Sequence, residues 1–368
     1  MAEGFDVVVI GGGAMGTAAA RTLAERGRNT LLLERFTIGH GFGSSGGPTR
    51  IFRLAHPDPQ DVLMAKLAGD LWRELEDRSG EVLLHTTGSL LAGERDGATA
   101  AALEEAGVPF ERLTPEAVAE RWPALTFEPG TELISQDDGG VCMAERTVRA
   151  QARLAIGAGV SVREETRVRR IDASGFGVDV DTDGGSYHAM IAVVTAGAWS
   201  RALLAGAGWD LPLVPTLEQV TYFTLDDPSP LPAILDRTLD PSLPYTVPNP
   251  EDPGAFKVGL HRSGPVTDPD ERTFDPDPDR VARVRAYVER RFAPHSPTGA
   301  SDTCLYTNTP DLGFVLDRRG PLVVGSACSG HGFKFTPLVG RILADLATAQ
   351  PAPMPIERFL AERPSLAG

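Results

Sequence analysis

Four apolar residues in a row, Val7 to Ile10, run into Gly11-Gly12-Gly13-Ala14-Met15-Gly16, after which the pattern changes from a strand's to a helix's. Ala18, Ala19, Ala20, Leu23 and Ala24 supply the helix, Gly27 stops it, and Leu31, Leu32 and Leu33 rise into Glu34. The stretch reads strand, glycine turn, helix, strand. Further on, Leu63, Leu67, Leu71 and Leu75 recur every four residues and predict an amphipathic helix over 60–76, with Trp72 in the core. Strands are expected at 82–84 and 89–92, then a helix over 98–106. Thr114-Pro115-Glu116 supplies a cap oxygen, a first-turn proline and an acid at a helix start. A helix over 146–156 precedes strands at 160–162, 176–180 and 190–195, and the last runs into the small residues Thr195-Ala196-Gly197-Ala198 before Trp199.

Proline punctuates 212–253, around Tyr222, Phe223 and Tyr245, which predicts edge strands and loops. Lys257-Val258-Gly259-Leu260-His261 alternates, so Lys257, Gly259 and His261 share one strand face, either a solvated one or one turned to a site. A polar helix is expected over 279–291 and a strand over 322–325. The glycine loop Ser329 to Phe335 then feeds a helix that Thr336 would cap, with Pro337 at its first position and Leu338, Ile342 and Leu346 on one face.

At 368 residues and 39.1 kDa the chain exceeds one ordinary domain. A formal charge of −15 argues against nucleic acid or an anionic membrane as partner. No basic segment followed by an apolar one opens the chain, and no apolar run is long enough to cross a bilayer, so a cytoplasmic protein is expected. Cys142, Cys304 and Cys328 are too scattered for a disulfide framework or a metal site, and no metal is expected.

The glycine segment fills the G-x-G-x-x-G template in its proper setting. Gly11 permits a tight turn, Gly13 lets N–H groups approach a pyrophosphate at the helix start, and Gly16 allows close packing. Glu34 can accept both ribose hydroxyls of an adenosine, which disfavours NADP; the motif alone does not separate NAD from FAD. The Gly- and Ser-rich loop over 39–53, ending Pro48-Thr49-Arg50-Ile51-Phe52-Arg53, would meet the cofactor or a substrate.

Taken in order, the motifs Gly11 to Gly16, Thr49 to Arg53, Lys257 to His261, Cys304-Leu305-Tyr306-Thr307 with Thr309-Pro310-Asp311, and Ser329 to Phe335 resemble the monomeric sarcosine oxidase and N-methyltryptophan oxidase group of flavin amine oxidases, within the D-amino-acid-oxidase-like class. The resemblance covers nearly the whole chain. It implies an α/β protein: a Rossmann-like FAD-binding domain over 1–85, 142–215 and 312–368, and an antiparallel-sheet substrate domain over 86–141 and 216–311. It implies FAD attached through Cys304. Cofactor contacts would come from Gly11, Gly13, Ala14, Met15, Gly16, Glu34, Arg35, Ser44, Thr49, Arg50, Val168, Gly197, Trp199, Gly330, Gly332, Phe333 and Lys334.

The same resemblance places a substrate carboxylate between Arg53 and Lys334, lines the pocket with Tyr306 and Tyr245, gives oxygen activation to Lys257 with Thr49 anchoring a water nearby, and leaves His261 a positioning role. The implied reaction oxidises a secondary, N-methyl or cyclic, amino acid by hydride transfer to flavin N5, giving an imine, while O2 becomes H2O2. Gly46 stands where the sarcosine oxidases carry a histidine, and Pro48 where they carry an acid. Two rivals stay open: a dehydrogenase or biosynthetic oxidase of the same fold with another electron acceptor, and a flavin-binding partner protein without turnover. Oligomeric state is left open.

Overall fold

The computed structural model describes residues 4–94, 97–239 and 241–366, so the outermost residues of the expected domain division lie outside it. Its first sheet has the strands Thr30–Leu33, Gly4–Ile10, Gly185–Val194 and Leu322–Ser326 in parallel sequence, with Ser161–Arg163 at one edge. Antiparallel strands Val168–Ser174, Gly177–Thr182 and Val315–Arg319 extend it. Both faces are covered, which is why the strands read as unbroken apolar runs. Val7, Val9, Leu32 and Val193 face a core shared with the helices Ala14–Glu25 and Thr336–Ala347, while Val8, Leu31, Leu33 and Val194 face the antiparallel meander. The two helices cross closely: a Cβ at Gly340 would come within 2.4 Å of the Ala18 Cβ.

The second sheet runs His295–Asn308, Val214–Leu225, Ala255–Leu260, Pro244–Pro248, Ala233–Asp236, Ser89–Ala92, Leu133–Gln136 and Glu111–Leu113. It departs from the expected antiparallel sheet at one junction, where Ala233–Asp236 pairs in parallel with Ser89–Ala92. One face packs Phe223, Phe256 and Val258 on Val284, Tyr287 and Val288 of the helix Pro278–Arg291. The register aligns Lys257 with Val247 and Tyr222, and Gly259 with Tyr245, on the opposite face. Strands Thr49–Phe52, Gly140–Met143 and Leu84–His85 form a small third sheet between the two.

Four local expectations are corrected. The leucine stripe only partly matches the buried face: in the helix Pro59–Ser79, Leu63 is 52% exposed, Leu67 and Leu71 pack half-buried against the core, and Leu75 is buried with Val62, Ala65, Ala68 and Trp72. A spacing of four drifts around a helix of 3.6 residues per turn, so the stripe starts in solvent at Leu63 and turns into the interior by Leu75. The proline-rich stretch holds a 12-residue strand, Val214–Leu225, paired on both edges, with Pro215 near its start. Phe176 does not begin a strand but sits 87% exposed in the turn before it. Thr336 is inside its helix rather than capping it, and its hydroxyl donates to the Phe333 carbonyl. The start at Thr114 is borne out, since its hydroxyl accepts from the Ala117 N–H.

Candidate active site

A cavity of about 1480 Å³ runs from the glycine turn to the free face of the second sheet. One small-molecule site usually occupies roughly 300–1,000 Å³, so this one has room for an extended ligand and a second molecule. Every site residue singled out from the sequence lines it except Gly16. Gly16 acts through packing: a Cβ there would lie 1.8 Å from the Gly11 carbonyl oxygen.

At the glycine-turn end Gly11 has φ +106°, and a Cβ on it would strike the Thr195 carbonyl at 2.6 Å. Glu34 is 4% exposed. Its carboxylate accepts from the Gly12 N–H at 2.6 Å and the Phe36 N–H at 2.8 Å, with His40 Nε2 at 3.4 Å. Burial pushes its pKa up, but the His40 and backbone hydrogen bonds outweigh that and hold it below the usual carboxylate value. The Ala14 N–H donates to Ser45 Oγ at 3.0 Å, while the neighbouring Ser44 Oγ is buried with no partner. Arg35 lies against the rings of Phe36 and Trp199, and Val168 and Gly197 complete the wall. Asp270, on the segment after the strand Ala255–Leu260, pairs with Arg35, accepts from Arg167 at 2.8 Å and accepts from Trp199 Nε1 at 2.6 Å. Ser45 and His40 lie in the loop expected at the cofactor but were not singled out, and nothing local marks Arg167 or Asp270, which meet only after segments 103 residues apart fold together.

In the middle of the cavity Arg50 donates to the carbonyls of Ser44, Gly46 and Thr49, so its guanidinium folds the loop as well as lining the wall. Gly46 packs tightly here, with a Cβ only 2.8 Å from Gly41 Cα and 2.9 Å from the His40 carbonyl oxygen. The loop's path itself excludes a histidine at this position. Lys257 is 5% exposed, so its strand face is not solvated, and Nζ donates to the Thr49 carbonyl at 2.7 Å. Burial, reinforced by the Arg50 charge, pushes its pKa well below that of an ordinary lysine. Cys304 opens on the same space, and burial pushes its thiol up despite the Arg50 and Lys257 charges. Cys142 is fully buried, whereas Cys328 also lines the cavity and its Sγ accepts from the Thr307 N–H.

The far end gathers Arg53, Lys334, Tyr245, Tyr306, His261 and His331, joined by His56, which the sequence did not single out. Arg53 Nη1 is buried without a hydrogen-bond partner. Burial, then the charge of Arg237, pushes Arg53 down to about 10, with Asp61 opposing. Lys334 is 3% exposed and donates to the His331 carbonyl at 2.6 Å. Trp72, in the core as expected, fixes that segment by donating from Nε1 to the Lys334 carbonyl at 2.7 Å. The phenols of Tyr245 and Tyr306 are hydrogen-bonded to each other. Their rings need glycine beside them: a Cβ at Gly259 would meet Tyr245 at 2.6 Å, and one at Gly330 would meet Tyr306 at 2.3 Å and His261 at 2.5 Å. Burial first, then neighbouring cations, drives His261 and His331 to about 3, so both rings are neutral at physiological pH. The result is a neutral aromatic pocket that ends on two buried cations, a setting for an anion with an apolar or neutral body.

Comparison with known proteins shows what the whole chain is similar to. The sequence profile of the DAO family, described as FAD dependent oxidoreductase, matches residues 6–346. The chain is 32% identical to monomeric sarcosine oxidase of Bacillus sp. (strain B-0618), covering 100% of this chain and 98% of that protein. It is 28% identical to N-methyl-L-tryptophan oxidase of Yersinia pestis (strain Pestoides F), over 96% of this chain and 98% of that one. Among solved structures, the open form of NikD, an unusual amino acid oxidase essential for nikkomycin biosynthesis, superposes with a TM-score of 0.87 at 29% identity, over 98% of both chains.

Proposed function

Because this chain belongs to the DAO family of FAD-dependent oxidoreductases, we propose that it is an oxidase of secondary amino acids, N-methyl or cyclic, that uses O2 and releases H2O2. The observation that carries the reading is the unpartnered Arg53 Nη1 beside buried Lys334, at the end of a cavity that also receives Lys257.

The residues present fit FAD. Gly11, Gly12, Gly13 and Gly16 form a tight turn in which an added Cβ would press on Thr195, Glu34, Ser45 or Gly11, the Glu34 carboxyl beside it is held below the usual carboxylate value, and the orphaned Ser44 hydroxyl lacks only a ligand acceptor or donor. When bound, FAD supplies a two-electron acceptor for the C–H bond beside the amine nitrogen. The chain's part is positioning. Arg53 and Lys334 hold the substrate carboxylate, and a two-point clamp fixes orientation as well as charge. Tyr245, Tyr306 and neutral His261 exclude water and wall in the amine. No protein base is required where the amine enters unprotonated, and the product imine is hydrolysed by water. Lys257, fixed by Thr49, offers an ammonium where charge develops during reduction of O2.

Cys304 completes the proposal as the covalent attachment point, opening on the cavity between Lys257 and the glycine loop. The proposed cofactor domain is 1–85, 142–215 and 312–368 and the substrate domain 86–141 and 216–311, with the cavity shared between them: Arg53 and Lys334 reach the substrate from the first, and Cys304 reaches the cofactor from the second. A cytoplasmic setting suits three cysteines that are all free. The test is anaerobic mixing of the holoenzyme with N-methyl and cyclic amino acids, followed by air. Bleaching of the flavin, then recovery with stoichiometric H2O2, is expected. Bleaching that only an artificial dye reverses would make the protein a dehydrogenase, and no bleaching with any amine would overturn the reading. Acid precipitation adds a check on attachment: colour that stays with the pellet and leaves it in Cys304→Ala supports the thioether.

A further inference from the structure

The clamp accounts for two cations, but a third faces the same pocket. The strand Ala233–Asp236 alternates, so Leu235 and Arg237 line the cavity while Asp236 turns to the opposite face, where it is fully buried against Arg291 at 3.0 Å. Arg237 stands on fixed backbone. Its N–H donates to the Ala92 carbonyl at 2.8 Å, and Asp236 Oδ1 accepts from the next N–H, that of Thr238, at 2.8 Å. Gly93, at φ +80°, lies so close beneath that a Cβ would reach Thr238 N at 2.7 Å.

Arg237 differs from the arginines that line the rest of the cavity. Arg35 and Arg167 are held by Asp270, Arg50 by loop carbonyls, Arg169 by Asp183 and Arg201 by Asp210, while Arg262 is exposed to solvent where Arg237 is half-buried. Among the described residues, none makes a hydrogen bond or ion pair with the Arg237 side chain. It lines the same cavity as Arg53, His56 and Lys334, and its charge bears on Arg53 and His56. Asp61, the carboxylate acting on both Arg53 and Lys334, is itself shared with Arg358 at 3.4 Å. One ligand carboxylate between Arg53 and Lys334 therefore leaves half-buried Arg237 without a counter-charge on the cavity wall.

We propose that the substrate carries a second carboxylate, met by Arg237 while the first lies between Arg53 and Lys334, so that the preferred substrates are N-substituted acidic amino acids. This rests on the oxidase reading for the reaction, but the binding claim can be tested apart from it.

The test titrates the holoenzyme with carboxylates that cannot be oxidised, following the flavin spectrum, and compares glutarate and succinate with butyrate and acetate. In parallel, N-methylglutamate and N-methylaspartate are compared with N-methylglycine and N-methylalanine for anaerobic flavin bleaching. Dicarboxylates are expected to bind at least about tenfold more tightly, the worth of one charge-assisted hydrogen bond. Arg237→Met should abolish that ratio and Arg237→Lys should retain part of it, both variants being scored only as flavin-loaded protein. Equal binding of mono- and dicarboxylates, or a ratio unchanged in Arg237→Met, overturns the proposal while leaving an oxidase of simple N-methyl amino acids in place. An Arg237-dependent preference among the non-reactive acids, with no bleaching by any amine, supports the subsite and removes the oxidase reading instead.

Discussion

The two ends of the cavity handle charge in opposite ways. At the glycine-turn end Glu34 is held by backbone N–H groups and His40, and Asp270 ties together Arg35, Arg167 and Trp199. At the far end Arg53 has an unpartnered buried nitrogen, Lys334 finds only a carbonyl, and His56, His261 and His331 are kept neutral. Paired charges hold a shape by themselves; unpaired ones raise the free energy of the empty protein until a ligand arrives. The first end is built to retain something, and the second to admit and orient something.

The largest expected effect follows from removing one unpaired charge. Arg53→Met should lower kcat/KM for a secondary amino acid by about 10²–10³-fold, the range for taking one partner from a buried charge-assisted contact. The same substitution should leave the protein more stable in the absence of substrate, by about 1–2 kcal/mol, because a desolvated cation gives way to an apolar side chain. Activity assays and thermal melts on one sample decide it. A variant that lost both activity and stability would show that Arg53 is structurally paired after all, and the contrast between the ends would fail.

Acid sharpens the contrast. His261 and His331 have folded-state pKa values of about 3 against an ordinary 6.5, and His56 is also lowered. Above pH 6.5 all three are neutral in both folded and unfolded chains and contribute nothing. Below it the unfolded chain binds protons that the folded one refuses, so stability falls as pH drops from 6.5 toward 3. Each histidine contributes up to about 1.4 kcal/mol per pH unit. Glu34 behaves differently: its pKa is lowered from 4.5, so its contribution is intact above that value and is lost only at lower pH. Melting temperature should therefore already decline between pH 6.5 and 5, and His331→Asn should flatten that part of the curve. A flat wild-type curve down to pH 5 would mean that the far end takes up protons freely.

This contrast was only half legible in the sequence. The glycine turn, Glu34, Lys257 and the cations Arg53 and Lys334 could be named because short motifs carry them, and the parallel sheet because its strands are unbroken apolar runs. The partners that decide whether a charge is paired could not. Asp270 lies 235 residues from Arg35, and nothing local to Arg237 says that its strand turns it to the cavity while Asp236 turns away. Leu63 misled for a related reason: periodicity gives a stripe, but the neighbouring helices and sheet choose which part of it is buried. Gly46 looked like a loss when set against the family pattern, and it is what the tight path of this loop requires.

The smallest effect is expected at the paired end. Asp270 is 36% exposed in its side chain, and exposed pairs are worth about 0.2–1 kcal/mol each. Asp270→Asn keeps the size and an acceptor for Trp199 Nε1 while removing the charge from Arg35 and Arg167. Its segment is also held by Arg272, which donates to the carbonyls of Phe42 and Thr303, so the strap should stay in place. A melting temperature lower by about 1–2 °C, scaling with a loss near 1 kcal/mol in a chain this long, should accompany turnover within about threefold of the parent. Faster proteolysis across 262–277 would locate the loosening. A hundredfold loss of turnover would instead tie Asp270 to the chemistry, because a clasp that only closes one end of a rigid cavity has no means of moving the buried cations Arg53 and Lys334 at the other.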